Sequence, residues 1–195
     1  MRYVGHMSDD TLVWFDCETT GLDPTRDKLL EVAVILTDGQ LRERAVFNRV
    51  LYFDEPIEND WVRNQHTKSG LLAACREVTN SGPSLIAHQL SLFLLENGIE
   101  KKTGVLAGSS IHFDRSFIRV HLPSFDADLH YRMVDVSSLN EIALRFAPDV
   151  YATRPNVPKE EIAHRALPDI RHSISVLRHY LVNGLRSNMR WLASS

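Results

Sequence analysis

The chain has 195 residues, 44% of them hydrophobic and 24% charged, which suffices for one well-buried core and falls short of two ordinary domains. A formal charge of -3 argues against a protein that grips long nucleic acid mainly through a basic surface, although neutralising a few carboxylates with bound cations would leave room for a short anionic ligand. No apolar run reaches transmembrane length and no arginine-rich, acid-poor leader is seen, so no membrane partner or targeting signal is expected.

These features predict a flexible segment over 1–10, a single domain over 11–185 and a tail over 186–195. The two cysteines, Cys17 and Cys75, suit a reducing compartment better than a disulfide framework. The expected location is therefore cytoplasmic, with a mitochondrial pool also compatible.

In chain order, "TLVWF" over Thr11 to Phe15 is a short β-prone run that ends at Asp16. Leu29 to Thr37 is a second run. Asp38-Gly39 is a hairpin signal into a third strand from about Arg42 to Phe53, so the first three strands are expected to be antiparallel. The period then changes to that of helices, over Trp61 to Ala74 and Leu85 to Glu96, separated by Ser81-Gly82-Pro83. Val105 to Ser109 reads as a buried strand, followed by a helix from about Asp114 to Val120. A strand near Met133 to Val136 leads into a helix over Ser137 to Phe146, with Ser137 or Ser138 as N-cap and Glu141 placed for a capping box with Ser138. A proline-rich loop precedes a last helix from about Pro168 to Leu181. Hairpin strands followed by strand-helix units predict an α/β fold, a mixed five-stranded sheet with three antiparallel strands then two parallel ones, flanked by helices. In such sheets ligands collect at the carboxyl ends of strands, where Asp16, Ser110 and Asp135 fall.

Within "FDCET", alternation puts Asp16 and Glu18 on one face of a strand and Cys17 on the other. Two carboxylates so placed can hold a hard divalent cation, or can be a solvated pair. Asp114 follows a buried strand at a helix start, where the macrodipole alone favours an acid. His164 and Asp169 stand five residues apart in "HRALPDI" and read in isolation as ordinary polar residues of a surface helix.

Together, D-x-E on the first strand, a later aspartate and H-x4-D near the carboxyl end resemble the DEDDh exonucleases of the RNase H-like fold. The resemblance implies that Asp16, Glu18, Asp114 and Asp169 hold two divalent cations, Mg2+ or Mn2+, for phosphodiester hydrolysis. It also implies that His164 is the general base for the attacking water. Of the nine histidines only His164 has the required position; His112, two residues before Asp114, is the nearest competitor.

"GLDPTRDKLLEVAVILTD", "WVRNQHTKSGL", "LAGSSIHFDRSF", "LHYRMVDVSSLNEIA" and "HRALPDIRHSI" are similar to the oligoribonuclease branch of that family, from about Leu12 to Tyr180. The similarity implies a homodimer that cleaves short single-stranded RNA, down to dinucleotides, to nucleoside 5'-monophosphates. In that branch the Leu22 position wedges between two bases and the Trp61 position stacks on the 3' base. His130, Tyr131 and Arg132 would reach into the active site of the other subunit, and Ser110 and Ser137 would complete a cap on the 5' phosphate. Duller roles are available: Leu22 on the core, Trp61 closing an apolar cluster, Tyr131 and Arg132 as interface contacts, Ser137 as a helix cap.

Three departures qualify the similarity. Thr19 stands where methionine is usual, Ser109 where asparagine is usual, and Pro168 where an acidic residue precedes the last aspartate. The alternatives are a DEDDh exonuclease acting on longer RNA or DNA 3' ends, and an exonuclease fold kept as a binding module. Pro168 itself predicts that "HRAL" is a loop with Leu167 extended and that the last helix begins at the proline.

Overall fold

The computed structural model describes residues 11–156 and 164–184. The expectations for 1–10 and 186–195, and the end of the proline-rich loop at 157–160, lie outside the described residues.

One five-stranded sheet organises the chain, in the spatial order β3-β2-β1-β4-β5. Its members are β1 (Leu12–Thr19), β2 (Leu29–Thr37), β3 (Glu43–Val50), β4 (Val105–Gly108) and β5 (Met133–Asp135). The first three pair antiparallel, and β4 and β5 add in parallel on the other side of β1. This is the mixed sheet expected from the sequence. β2 runs over the expected residues and is buried throughout, as the central member of the antiparallel set must be. The hairpin forms at Asp38, whose carboxylate accepts from the backbone N–H groups of Gln40 and Arg42. The left-handed residue of that turn is Leu41 rather than Gly39, at φ 59°, and its side chain is buried.

Helices cover both faces. On one, α3 (Pro83–Glu96), α4 (Ile111–His121) and α5 (Pro123–Asp128) pack on Val13, Phe15, Val32 and Val34. On the other, α6 (Val136–Phe146) and α8 (Ala166–Asn183) pack on Trp14, Ala33 and Ile35. The odd residues of β1 thus face α4 and the even ones face α8, as strand alternation requires. Burying two faces in one chain of this length accounts for its 44% hydrophobic content. Among the described residues no helix is long and apolar enough to cross a membrane. Cys17 and Cys75 are both buried and free.

Several boundaries differ from the sequence expectation. β1 continues to Thr19, so Asp16 and Glu18 lie inside the strand rather than beyond its end. The helix expected over Trp61 to Ala74 is two, α1 (Asp60–Lys68) and α2 (Leu71–Glu77), because Gly70 adopts φ 73° and reverses the chain between them. α4 begins three residues before Asp114. α6 is capped by Asp135, which accepts from the Ser137 N–H, and not by Ser137 or Ser138; Glu141 pairs with Arg145 instead of closing a capping box. α5 and α7 (Pro148–Ala152) both start at a proline, which reads as loop in a sequence but suits the first helical turn.

Candidate active site

The pairing of β1 with β4 stops at Trp14 and Ala107, while the pairing with β2 continues to Thr19. From Phe15 to Thr19, β1 therefore has an edge without a strand partner, and the site is built along it. Gly108 ends β4 with its Cα against Phe15; a Cβ there would lie 2.9 Å from the Phe15 carbonyl oxygen, so a larger residue would push the strands apart. The Cys17 N–H, left without a β4 acceptor, donates to Asp114 Oδ1 at 3.0 Å, and the Cys17 thiol lies 3.3 Å from the same oxygen. Asp114 thus stands in for the missing strand.

Asp16 and Glu18 point to the other face, towards α8, where Asp169 joins them. One carboxylate oxygen from each of Asp16, Glu18 and Asp169 lies within 4.8 Å of the others, a set that could hold a metal ion. Asp114 lies behind that set and acts on it electrostatically. Burial raises Asp16 well above the ordinary carboxylate range, and the charges of Asp114, Glu18 and Asp169 add to the shift. Burial likewise pushes Glu18 up to about 8, with Asp169, Glu31 and Asp114 adding and Arg165 opposing. Asp114 is pushed up to about 7, burial outweighing the hydrogen bonds from Cys17. Asp169 is pushed up to about 6 by burial, against the attraction of His164. Crowded oxygen donors that repel one another and are shielded from water fit a hard divalent cation better than any neutral ligand.

Asp169 and His164 are presented by the start of α8. Helix α8 begins at Ala166, two residues before Pro168, and Leu167 is helical rather than extended. The cause lies far away in sequence. Glu31 on β2, directly across the ladder from Glu18, accepts the Ala166 N–H at 3.2 Å and both arms of the Arg165 guanidinium at 2.8 and 2.9 Å. Pro168 then occupies the third helical position, where the N–H that proline lacks would have had no intrahelical acceptor; the first such bond runs from the Asp169 N–H to the Arg165 carbonyl, at 3.3 Å. His164 precedes the helix in a left-handed conformation, φ 43°, with its ring edge-on to Trp61 at 5.9 Å between centroids. His112 is exposed, with Nδ1 3.6 Å from Asp135 Oδ2.

The expected base-binding residues are open to solvent. Leu22 is 79% exposed and Trp61 is 62% exposed, so neither completes a core. Trp61 sits in the first turn of α1, whose N-cap Asn59 accepts from the Trp61 and Val62 N–H groups. Leu22 is carried by a turn in which Thr19 Oγ1 donates to the Gly21 carbonyl, Thr20 Oγ1 donates to Asp27, and Asp27 also accepts the Asp23 N–H. The threonine found where methionine is usual therefore pins the turn. A cleft of about 670 Å³ opens beside Leu22 and Asn59; Asp16, Glu18, Asp114 and Asp169 do not line it.

Ser110 and Ser137 meet across β4 and β5, with hydroxyl oxygens 3.0 Å apart. Asp135 Oδ1 holds both by accepting their backbone N–H groups at 2.9 Å each. Ser109 bonds to the Ser173 hydroxyl at 2.8 Å, and Ser173 donates to the Asp169 carbonyl, so the serine found in place of asparagine still ties β4 to α8. His130, Tyr131 and Arg132 do not join this site within the chain. Their contacts are local: the His130 and Tyr131 rings lie 4.5 Å apart, Arg132 covers the Tyr131 ring, and buried Arg115 donates to the His130 and Tyr131 carbonyls. Tyr131 is 72% exposed.

The sequence reading missed three residues here: Glu31, Arg165 and His66. The His66 Nε2 lies 2.9 Å from the Thr19 carbonyl, which only accepts, so this nitrogen carries the proton. Its Nδ1 is buried without a hydrogen-bond partner, 3.9 Å from Glu18. Burial lowers its pKa and favours the neutral ring. A histidine five residues into a predicted helix gives no signal of this role; only the packing of α1 on β1 reveals it.

Residues 13–177 match the family model described as Exonuclease, RNase_T. A "Probable oligoribonuclease" from Schizosaccharomyces pombe is 41% identical over 87% of this chain and 66% of its own length. An "Oligoribonuclease" from Azoarcus is 39% identical over 90% of this chain and 95% of its own. Among solved structures, E. coli exonuclease I in complex with a dT13 oligonucleotide superposes with a TM-score of 0.66 at 14% identity, over 95% of this chain and 43% of that one. That likeness identifies the sheet and its helices as an RNase H-like fold.

Proposed function

The chain belongs to the exonuclease family with which residues 13–177 align, and on that footing we propose that it is a 3'-to-5' exoribonuclease. Its substrates are short single-stranded oligoribonucleotides, down to dinucleotides, and its products are nucleoside 5'-monophosphates. The observation that carries this reading is the convergence of Asp16, Glu18 and Asp169 within 4.8 Å, beside His164 and the exposed ring of Trp61.

Asp16, Glu18, Asp114 and Asp169 would hold two divalent cations, Mg2+ or Mn2+. The chemistry such ions supply when bound is stabilisation of negative charge on the attacking and leaving oxygens of an in-line displacement. The chain's residues do the rest. Trp61 stacks on the 3' base and Leu22 wedges between the two bases, which holds unstacked bases without sequence preference. The His164 imidazole takes the proton of the attacking water as the oxygen bonds to phosphorus and the bridging bond to the 3' oxygen breaks.

The length limit comes from the other end. Ser110 and Ser137, whose backbone N–H groups Asp135 accepts, present adjacent hydroxyls to the 5' phosphate. In a homodimer, His130, Tyr131 and Arg132 of the second subunit complete that cap; the exposure of Tyr131 and Arg132 and the local character of their contacts support a role in another copy. A longer chain would have to continue through the cap. Release of nucleoside 5'-monophosphates from a 5'-phosphorylated RNA dinucleotide, dependent on Mg2+ or Mn2+ and lost in His164→Ala, tests the reading. A clear preference for longer RNA or DNA would replace it with a proofreading or trimming activity.

A further inference from the structure

We infer that Glu31 and Arg165 act as the positioning pair of the catalytic histidine, an inference that rests on His164 being the general base. His164 lies outside α8, before the N-cap, so no helical hydrogen bond fixes it. Its backbone has a positive φ, 43°, an uncommon conformation for a residue with a Cβ. The next residue, Arg165, is extended and clamped by two charge-assisted bonds to Glu31, which is 0% exposed and set on β2, an interior strand of the sheet. The same carboxylate holds the Ala166 N–H. Three bonds from one rigid side chain therefore fix the two residues that follow His164.

The pair does not need to be a metal ligand to matter. Glu31 sits opposite Glu18 in the ladder, yet its oxygens are turned to Arg165 and the α8 terminus, and it is absent from the converging carboxylate set. Asp169 has separate support: Ile170, Ile174 and Leu177 anchor α8 in the core, and Ser173 ties its carbonyl to Ser109. Loosening Arg165 should therefore release His164 while leaving Asp169 in place. That separation of effects distinguishes positioning of the base from general support of the site.

The test uses the full chain with Arg165→Gln and Arg165→Lys. Lysine keeps a charge near Glu31 without the two-armed geometry and keeps the test interpretable if glutamine leaves Glu31 too exposed a liability for folding. For a folded variant, kcat on an RNA dinucleotide is expected to fall on the order of 10- to 100-fold, since a misplacement of about 1 Å costs that much. In Arg165→Lys, which keeps the charge that opposes the Glu18 shift, KM and the Mn2+ dissociation constant should stay within about twofold, and the His164 ring signals in carbon–proton NMR spectra should move to random-coil positions. In a His164→Ala background the Arg165 change should cost no further activity. An unchanged kcat with unmoved ring signals, or a loss of Mn2+ affinity in parallel with kcat in Arg165→Lys, overturns the inference. If His164→Ala alone keeps full activity, the general-base reading fails, and the ring signals still report whether Arg165 positions the residue.

Discussion

The backbone N–H of Cys17 and the carboxylate of Asp114, 97 positions apart in sequence, are joined by a 3.0 Å hydrogen bond that replaces the strand partner missing from the edge of β1. Asp114 thus has a structural and an electrostatic role at once, and the two can be separated. Asp114→Asn keeps an acceptor for Cys17 and removes a charge from a cluster that repels itself. Activity is expected to drop by more than the ~10- to 100-fold typical of an outer-shell partner. Thermal unfolding of the metal-free variant should occur a few degrees higher, as about 1 kcal/mol corresponds to roughly 2–4 °C for a chain of this size. A lower melting temperature would show that the hydrogen bond outweighs the repulsion.

The raised carboxylates fix the pH dependence of the metal-free protein. Glu18, Asp114 and Asp169 have ordinary values of 4.5, 3.8 and 3.8 and folded values of about 8, 7 and 6. Between those limits the folded chain binds more protons than the unfolded one, so stability falls as pH rises through the window. Calorimetry without divalent ions should give a lower melting temperature at pH 8 than at pH 5, and Mg2+ should restore more at pH 8. A melting temperature that rises with pH in the absence of metal contradicts the electrostatics described for the site.

Trp61→Ala should weaken binding of short RNA by roughly 1–3 kcal/mol, the usual value of one base stacked on an aromatic ring. Because the ring is exposed, stability should change by no more than about 0.5 kcal/mol. Fluorescence titration on an inactive His164→Ala background reads the affinity, and chemical denaturation reads the stability.

Complementation tests the shared site. Arg132→Ala and His164→Ala each disable an active site, but in a mixed dimer one of the two sites has both residues intact. Random reassembly of an equal mixture should recover about a quarter of the wild-type rate, since half the dimers are mixed and each has one good site. No recovery above the separate variants would show that Arg132 does not act in the other subunit's catalytic centre.

The features that the sequence displayed are those set by local chemistry. Asp38 turned the first hairpin, β2 kept its expected limits, and strand alternation put Asp16 and Glu18 on one face. The features it concealed depend on partners far along the chain. The start of α8 is set by Glu31, more than 130 residues earlier, so the proline looked like the first helical residue when it is the third. Ser137 had the right chemistry for a cap, yet Asp135 starts the helix two residues earlier and accepts the Ser137 N–H from the end of β5. Gly70 gave no break in apolar periodicity, because α1 and α2 both bury residues against the same cluster. His66 acquires its position only when α1 folds over Thr19.

Substrate length is the most direct measure of the proposed function. Values of kcat/KM should be compared for a 5'-phosphorylated RNA dinucleotide, its unphosphorylated form, longer RNA and DNA of matched sequence, with His164→Ala and Ser110→Ala as controls. The phosphorylated dinucleotide should be the best substrate, Ser110→Ala should narrow its advantage over the unphosphorylated form, and His164→Ala should abolish turnover. Faster hydrolysis of the longer chains, with no effect of the 5' phosphate, would contradict a site built to measure two nucleotides.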